Sequence, residues 1–261
     1  MLNKDKDDLP LLLLSVIMGV FVIAFIVSET TGNRNYQSEY NFDEAVSSHM
    51  EKNTQDVTIQ NGELTNADED QIRKYMTTDK DHYPLQHMDL RDKVDTDIET
   101  LNEILEGKGI LENRGETFLE AQNLHDINVM YLISHAQLET GNGQSELAQG
   151  IKTDETYYNF FGIGAFDKQA VESGASYAEQ ENWSSPEAAI LGGAKFISDN
   201  YVNNYQNTLY KMRWNPENPG HHQYATDIRW PVIIADIMSS YYNEYSLSTG
   251  NMEYTEYRND K

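Results

Sequence analysis

The sequence predicts a mainly α, α+β domain behind one N-terminal transmembrane helix. Three observations carry this reading: an uncharged apolar block at residues 9–27, four stretches of helical hydrophobic period beyond about residue 85, and an aromatic, glycine-rich stretch between the second and third of these.

The four helical stretches follow in order. Val94, Ile98, Leu101, Ile104 and Leu105 recur on one helix face, and Gly107 and Gly109 end that run. Ile127, Met130, Ile133 and Ala136 mark a second helix, from about Asp126 to Thr140. Ser184-Ser-Pro-Glu187 predicts the start of a third. Ser184 with Glu187 fits a capping box, and proline is tolerated in the first turn. A fourth runs from Pro231 to about Tyr245 with Ile233, Ile234, Ile237, Met238 and Tyr241 inside. Tyr157–Asn182 is short of helical period and is expected to hold a small sheet or hairpin.

Leu9–Val27 holds 19 residues without a charge, enough to cross a hydrocarbon core of ~30 Å. It is longer than a signal-peptide core, and no small-x-small cleavage pattern follows it. The expectation is a signal anchor at 9–28 behind a cytoplasmic head at 1–8. Lys4 and Lys6 lie in the head, whereas only Arg34 lies near the membrane on the other flank. Residues 29–80 are polar and acidic and are expected to form an extracytoplasmic stalk with one short helix near Asp70–Met76. The domain then spans 81–246, and 247–261 is a polar tail. Ser15 and Gly19 share a face of the apolar helix, where small residues allow a second membrane helix to approach. A polytopic membrane protein is the partner expected there.

Composition excludes several chemistries. Nineteen basic against 43 acidic residues give a net charge of −24, which argues against nucleic acid as a partner. The chain has no cysteine, so disulfides, thiolate nucleophiles and Cys-ligated metals are excluded. An exported domain without cysteine suits a Gram-positive surface. No H-E-x-x-H or G-x-S-x-G occurs, and Gly162-Ile-Gly164 lacks the third glycine of a dinucleotide loop. Neither a metal nor an organic cofactor is expected.

Three stretches carry candidate chemistry. In His135-Ala-Gln-Leu-Glu139-Thr-Gly-Asn-Gly143 a glutamate closes an apolar helix, and two glycines follow within four residues. The helix fixes the carboxyl, its apolar neighbours favour the proton-bearing form a general acid needs, and the glycines admit a ligand. The competing reading is an exposed glutamate near a helix C-terminus. In Tyr157–Asp167, flat aromatic faces stand beside amide and carboxylate groups, a mixture suited to sugars or to a packed hairpin. Asn159, Phe160, Phe161, Gly162 and Asp167 are the substrate-binding candidates. The loop Lys211–Trp230 adds Trp214, Gln223 and Asp227.

His135–Gly143, Asn159–Asp167, Gly192–Ile197, Asn207–Pro216 and His222–Asp227 occur in order. Together these blocks closely resemble the family 73 glycoside hydrolases, bacterial endo-β-N-acetylglucosaminidases, over roughly residues 85–245. The resemblance implies a lysozyme-like fold, a helical lobe and a small β-lobe around a cleft. It implies Glu139 as the catalytic acid, Tyr224 as a second catalytic residue, and peptidoglycan glycan strands as substrate. It leaves Asp167, Glu172, Glu155 and Asp227 as candidates for a second carboxylate. Arg229-Trp-Pro231 stands where the family pattern has a small residue and Trp-Ala. The alternatives are a muramidase or lytic transglycosylase on the same fold, or a non-enzymatic, membrane-tethered glycan-binding scaffold.

The expected topology has a direct test. Protease added to wall-free cells should digest everything beyond about Glu29, and the mature protein should retain Met1–Asp8. An N-terminus recovered just after Val27 would show a cleaved leader instead.

Overall fold

A computed structural model describes residues 33–51, 56–60, 62–152, 156–164 and 170–259. Leu9–Val27, with Ser15 and Gly19, lies outside the described residues. Among the described residues no helix is long and apolar enough to cross a membrane.

The main body is helical. Ile98–Ile104, Gly115–His125, Val129–Thr140, Pro186–Ile197 and Trp230–Glu244 (α3, α4, α5, α8 and α10) surround one core, which includes Phe118, Leu132, Ile190 and Ile234. Helix α5 lies at its centre, because every residue from Val129 to Gln137 is buried. A helix buried on every face over nine residues can only sit inside a core. Asn128 caps it by accepting from the Tyr131 N–H at 3.0 Å, and Gly141, at φ +55°, ends it.

Several expectations need correction. The third predicted helix is capped by Ser185, whose Oγ accepts from the Ala188 N–H at 3.1 Å. Glu187 pairs with Arg114 instead of closing a box with Ser184. The first begins only at Ile98, after the cap Asp97, while Val94 is buried in the preceding extended chain. The expected small sheet is the antiparallel pair Ile151–Lys152 and Thr156–Tyr157 (β4 and β5), which only reaches the glycine-rich stretch at Tyr157; Glu146–Gln149 (α6) precedes it, and Ala170–Gln180 (α7) within the stretch is a helix. Helix α4 buries one face through Thr117, Phe118, Ala121 and Gln122, and Leu209–Trp214 (α9) is buried along its whole length.

The largest correction concerns residues 29–80 and 247–261. From Arg34 to Tyr75 the supposed stalk forms β1 (Arg34–Gln37), α1 (Phe42–Met50), the hairpin β2–β3 (Val57–Gln60, Glu63–Asn66) and α2 (Glu69–Tyr75). Strand β1 pairs in parallel with β6 (Glu253–Glu256) of the supposed tail, Arg34 opposite Glu253. Ala45, Val46, Ile72 and Met76 build a second core with Tyr210, Trp214 and Ile228. The segment has too few apolar residues to fold alone, so α9 and its neighbours supply the other wall.

His87 is locked into the same region. It is buried between the rings of Tyr210 (5.0 Å) and Tyr254 (5.2 Å). Neither ring nitrogen has a hydrogen-bond partner among the described residues. Burial, helped by the charge of Lys80, pushes its pKa down to about 4. The unfolded chain takes up this proton near pH 6.5, the folded chain only near 4. Stability should therefore be full above pH 6.5 and fall by up to about 3 kcal/mol as pH drops to 4. Denaturant melts of wild type and His87→Phe across pH 4–7 should show a flatter profile for the variant. Parallel profiles would assign the acid sensitivity elsewhere.

Candidate active site

Glu139 sits in the last turn of α5, with about a quarter of its side chain (27%) open to solvent. Its Oε1 accepts from the Trp230 indole N–H at 3.0 Å. Trp230 reaches it from the first turn of α10, whose start is set by Pro231. The other oxygen, Oε2, lies against the backbone of Gly162. A Cβ on that glycine would come within 2.8 Å of it, and φ there is +65°. Only glycine accepts both the closeness and the backbone angle.

An aromatic box backs the carboxyl. His135, one turn before Glu139, is fully buried, with ring contacts to Phe161 (5.4 Å), Tyr224 (4.8 Å) and Trp230 (5.1 Å). Its Nδ1 lies 3.1 Å from the Tyr131 hydroxyl and its Nε2 3.5 Å from Glu139 Oε1. When the phenol donates to Nδ1, the ring proton sits on Nε2 and faces the carboxyl. Tyr224 stacks on Trp230 (5.1 Å, 21°) and donates to the Phe161 carbonyl at 2.8 Å. Burial, with the nearby Tyr131 and Glu139, raises its pKa well above the phenol value. The hydroxyl therefore stays a neutral donor rather than an anionic nucleophile.

The other predicted residues sort differently. Asn159 is buried and works on its own loop. Its Oδ1 accepts from the Phe161 and Ile163 N–H groups, and its Nδ2 donates to the carbonyls of Ile163 and Gly174. It shapes the turn that brings Gly162 to Glu139. Phe160 and Phe161 are fully buried, and Gly193 leaves the space that the Phe161 ring fills. Neither ring can stack on a sugar. Trp214 is also fully buried, in the second core against His49. Its expected contact with substrate is corrected to a packing role. Gln223 donates to Asp56 at 2.8 Å, away from the carboxyl of Glu139. Asp167 and Glu155 lie outside the described residues, and Glu172 is exposed on α7.

Asp227 is fully engaged. Arg229 grips it through Nε (3.0 Å) and Nη2 (2.6 Å), and its own Oδ1 also accepts from the Arg229 backbone N–H at 2.9 Å. Both of its oxygens are thus spent on the turn into α10. No lysine or arginine among the described residues is in ion-pair range of Glu139. Sequence reasoning missed His135 and Trp230 as site residues. A tryptophan directly before a helix-starting proline was the available signal.

The site thus presents one carboxyl at the end of a buried helix, partly open to solvent and accepting from a neutral indole N–H. A family model for glucosaminidase, described as mannosyl-glycoprotein endo-beta-N-acetylglucosaminidase, matches residues 115–243. A catalytic mutant of Staphylococcus aureus Autolysin E, solved with the disaccharide NAG-NAM, superposes with a TM-score of 0.79 at 50% identity, covering 85% of this chain and 99% of that one. S. aureus glucosaminidase B gives 0.68 at 34% identity, covering 88% and 95%. Bifunctional autolysin of Staphylococcus epidermidis is 51% identical over 155 residues, 56% of this chain but only 12% of that protein. The chain belongs to the glucosaminidase family, glycoside hydrolase family 73, and shares its mainly helical, lysozyme-like fold.

Gly162→Ala tests the close approach. The backbone angle should cost ~1–2 kcal/mol of stability, and displacement of the carboxyl should lower glycan hydrolysis about a hundredfold. Activity near wild type, with normal melting, would show that the carboxyl does not need the glycine.

Proposed function

We propose that this chain is a peptidoglycan hydrolase that cleaves the GlcNAc-β-1,4-MurNAc bond of cell-wall glycan strands. The observation that carries the reading is Glu139, set between the Trp230 indole and Gly162 at the end of a buried helix. Relatives solved with NAG-NAM and with the muropeptide NAM-L-Ala-D-iGlu support the substrate class.

Protonated Glu139 gives its proton to the oxygen leaving C1 of GlcNAc. The C1–O bond breaks through an oxocarbenium-like transition state. Water adds at C1, loses its proton and leaves a reducing GlcNAc end. Two routes complete the step: a carboxylate other than Glu139 activates that water, or the 2-acetamido oxygen of the substrate attacks C1 as the glycosidic bond breaks and water then opens the resulting oxazolinium ring. Tyr224, fixed on the Phe161 carbonyl, keeps the loop wall in place while this happens.

The working location is the outer face of the cell membrane. Leu9–Val27 supports a tether there, and a tether raises the effective concentration of enzyme over newly made strands. That proximity matters for a chain of net charge −24, which gains little from anionic wall polymers. The Ser15/Gly19 face would dock a polytopic membrane protein that positions the domain.

Glu139→Gln keeps the size and removes the transferable proton. Hydrolysis of purified glycan should fall by ~10²–10⁴-fold with unchanged melting. Mass spectrometry of the released muropeptides should find GlcNAc at the reducing ends. Reducing MurNAc or anhydro-MurNAc ends would identify a muramidase or a lytic transglycosylase. Glycan binding without any cleavage by wild type would identify a scaffold.

A further inference from the structure

The loop that carries Tyr224 and leads into Trp230 is held from outside the family-matched stretch 115–243. The Val57 N–H donates to the Thr226 carbonyl at 3.0 Å, and the Ile228 N–H donates to the Val57 carbonyl at 2.9 Å. This is a one-residue parallel bridge to Asp227. Asp56, the preceding residue, is buried and points its carboxylate at the same loop. Its Oδ1 accepts from Gln223 Nε2 at 2.8 Å and from Arg213 Nη2 at 2.5 Å, and its Oδ2 lies 3.0 Å from His49 Nδ1. Arg213, fully buried on α9, completes the circuit by donating to the carbonyls of Thr226 and Asp227, each at 3.0 Å.

Burial alone would raise the Asp56 carboxyl. The His49 hydrogen bond and the charge of Arg213 outweigh that and hold it below the ordinary carboxylate range. Stability does not explain such a pair, because two buried charges cost desolvation that apolar side chains of similar volume avoid. What the pair adds is direction. The guanidinium fixes the Thr226 and Asp227 carbonyls and the carboxylate fixes the Gln223 amide, each at a set angle, which an apolar contact cannot do. The fixed groups lie on both sides of Tyr224, and the last, the Asp227 carbonyl, is three residues before Trp230.

We propose that Asp56, acting with Arg213, is a positioning residue for the catalytic acid. It sets the 223–230 loop so that the Trp230 indole meets Glu139 Oε1 and the Tyr224 hydroxyl meets the Phe161 carbonyl. The N-terminal segment is then a working part of the site. This rests on Glu139 as the acid.

The chain has three tryptophans, Trp183, Trp214 and Trp230, so the full chain labelled with [15N]tryptophan has three indole resonances to follow. In wild type the Trp230 resonance should move with pH as Glu139 titrates, and in Glu139→Gln it should not. Asp56→Asn and Gln223→Leu should weaken that pH response and lower kcat on soluble glycan strands by about ten- to a hundredfold, with KM little changed. Gln223→Leu leaves no buried charge unpaired, so it decides the matter should Asp56→Asn not fold. A folded Gln223→Leu with wild-type kcat, or one with reduced kcat and an unmoved Trp230 resonance, would overturn the proposal. Retained activity in Glu139→Gln would sink the acid assignment instead, and is read on a separate variant.

Discussion

The position of every group in the site is measured from the helix Val129–Thr140, which is packed on all sides. Interiors at close-packed density do not deform continuously, so a side chain in the last turn of such a helix has a fixed origin. Glu139 inherits that fixity while about a quarter of its side chain meets solvent. The partners of its carboxyl come from far away in sequence. Gly162 arrives on a turn wired by Asn159, and Trp230 arrives at the start of α10. Each depends on its own local hydrogen bonds, and all converge on a helix that cannot yield.

Two carboxylates near the same loop show how environment divides labour. Asp227 is gripped by Arg229 and shapes the turn into α10. Glu139 meets an indole N–H, a histidine ring and a glycine backbone. In the reaction proposed for Glu139 the acid has to give up a proton and regain it, and a guanidinium clamp would work against the second half of that cycle. The tyrosine beside it is kept as a neutral phenol by burial, so its contribution is a directed hydrogen bond.

The ends of the described chain close on each other, β1 alongside β6, and the N-terminal segment shares a core with α9. The domain is therefore larger than its family-matched stretch. The segment following the apolar block is folded onto the body that carries the site.

Periodicity and chemistry made part of this legible in the residues alone. Four of the helices, the short helix near Asp70 and the glutamate before Gly141 could be read there, because helix faces repeat at 3.6 residues and caps lie next to what they cap. Ordered blocks of residues carried the family resemblance. The roles of Phe160, Phe161 and Trp214 could not be read that way. An aromatic side chain suits a sugar face or a core equally well, and only the tertiary fold buried these three. It was likewise tertiary structure that turned the residues after Arg34 from an expected stalk into a folded segment. Ala45, Val46, Ile72 and Met76 are too few for a core, and their other wall, Tyr210 and Trp214, lies more than a hundred residues further along the chain.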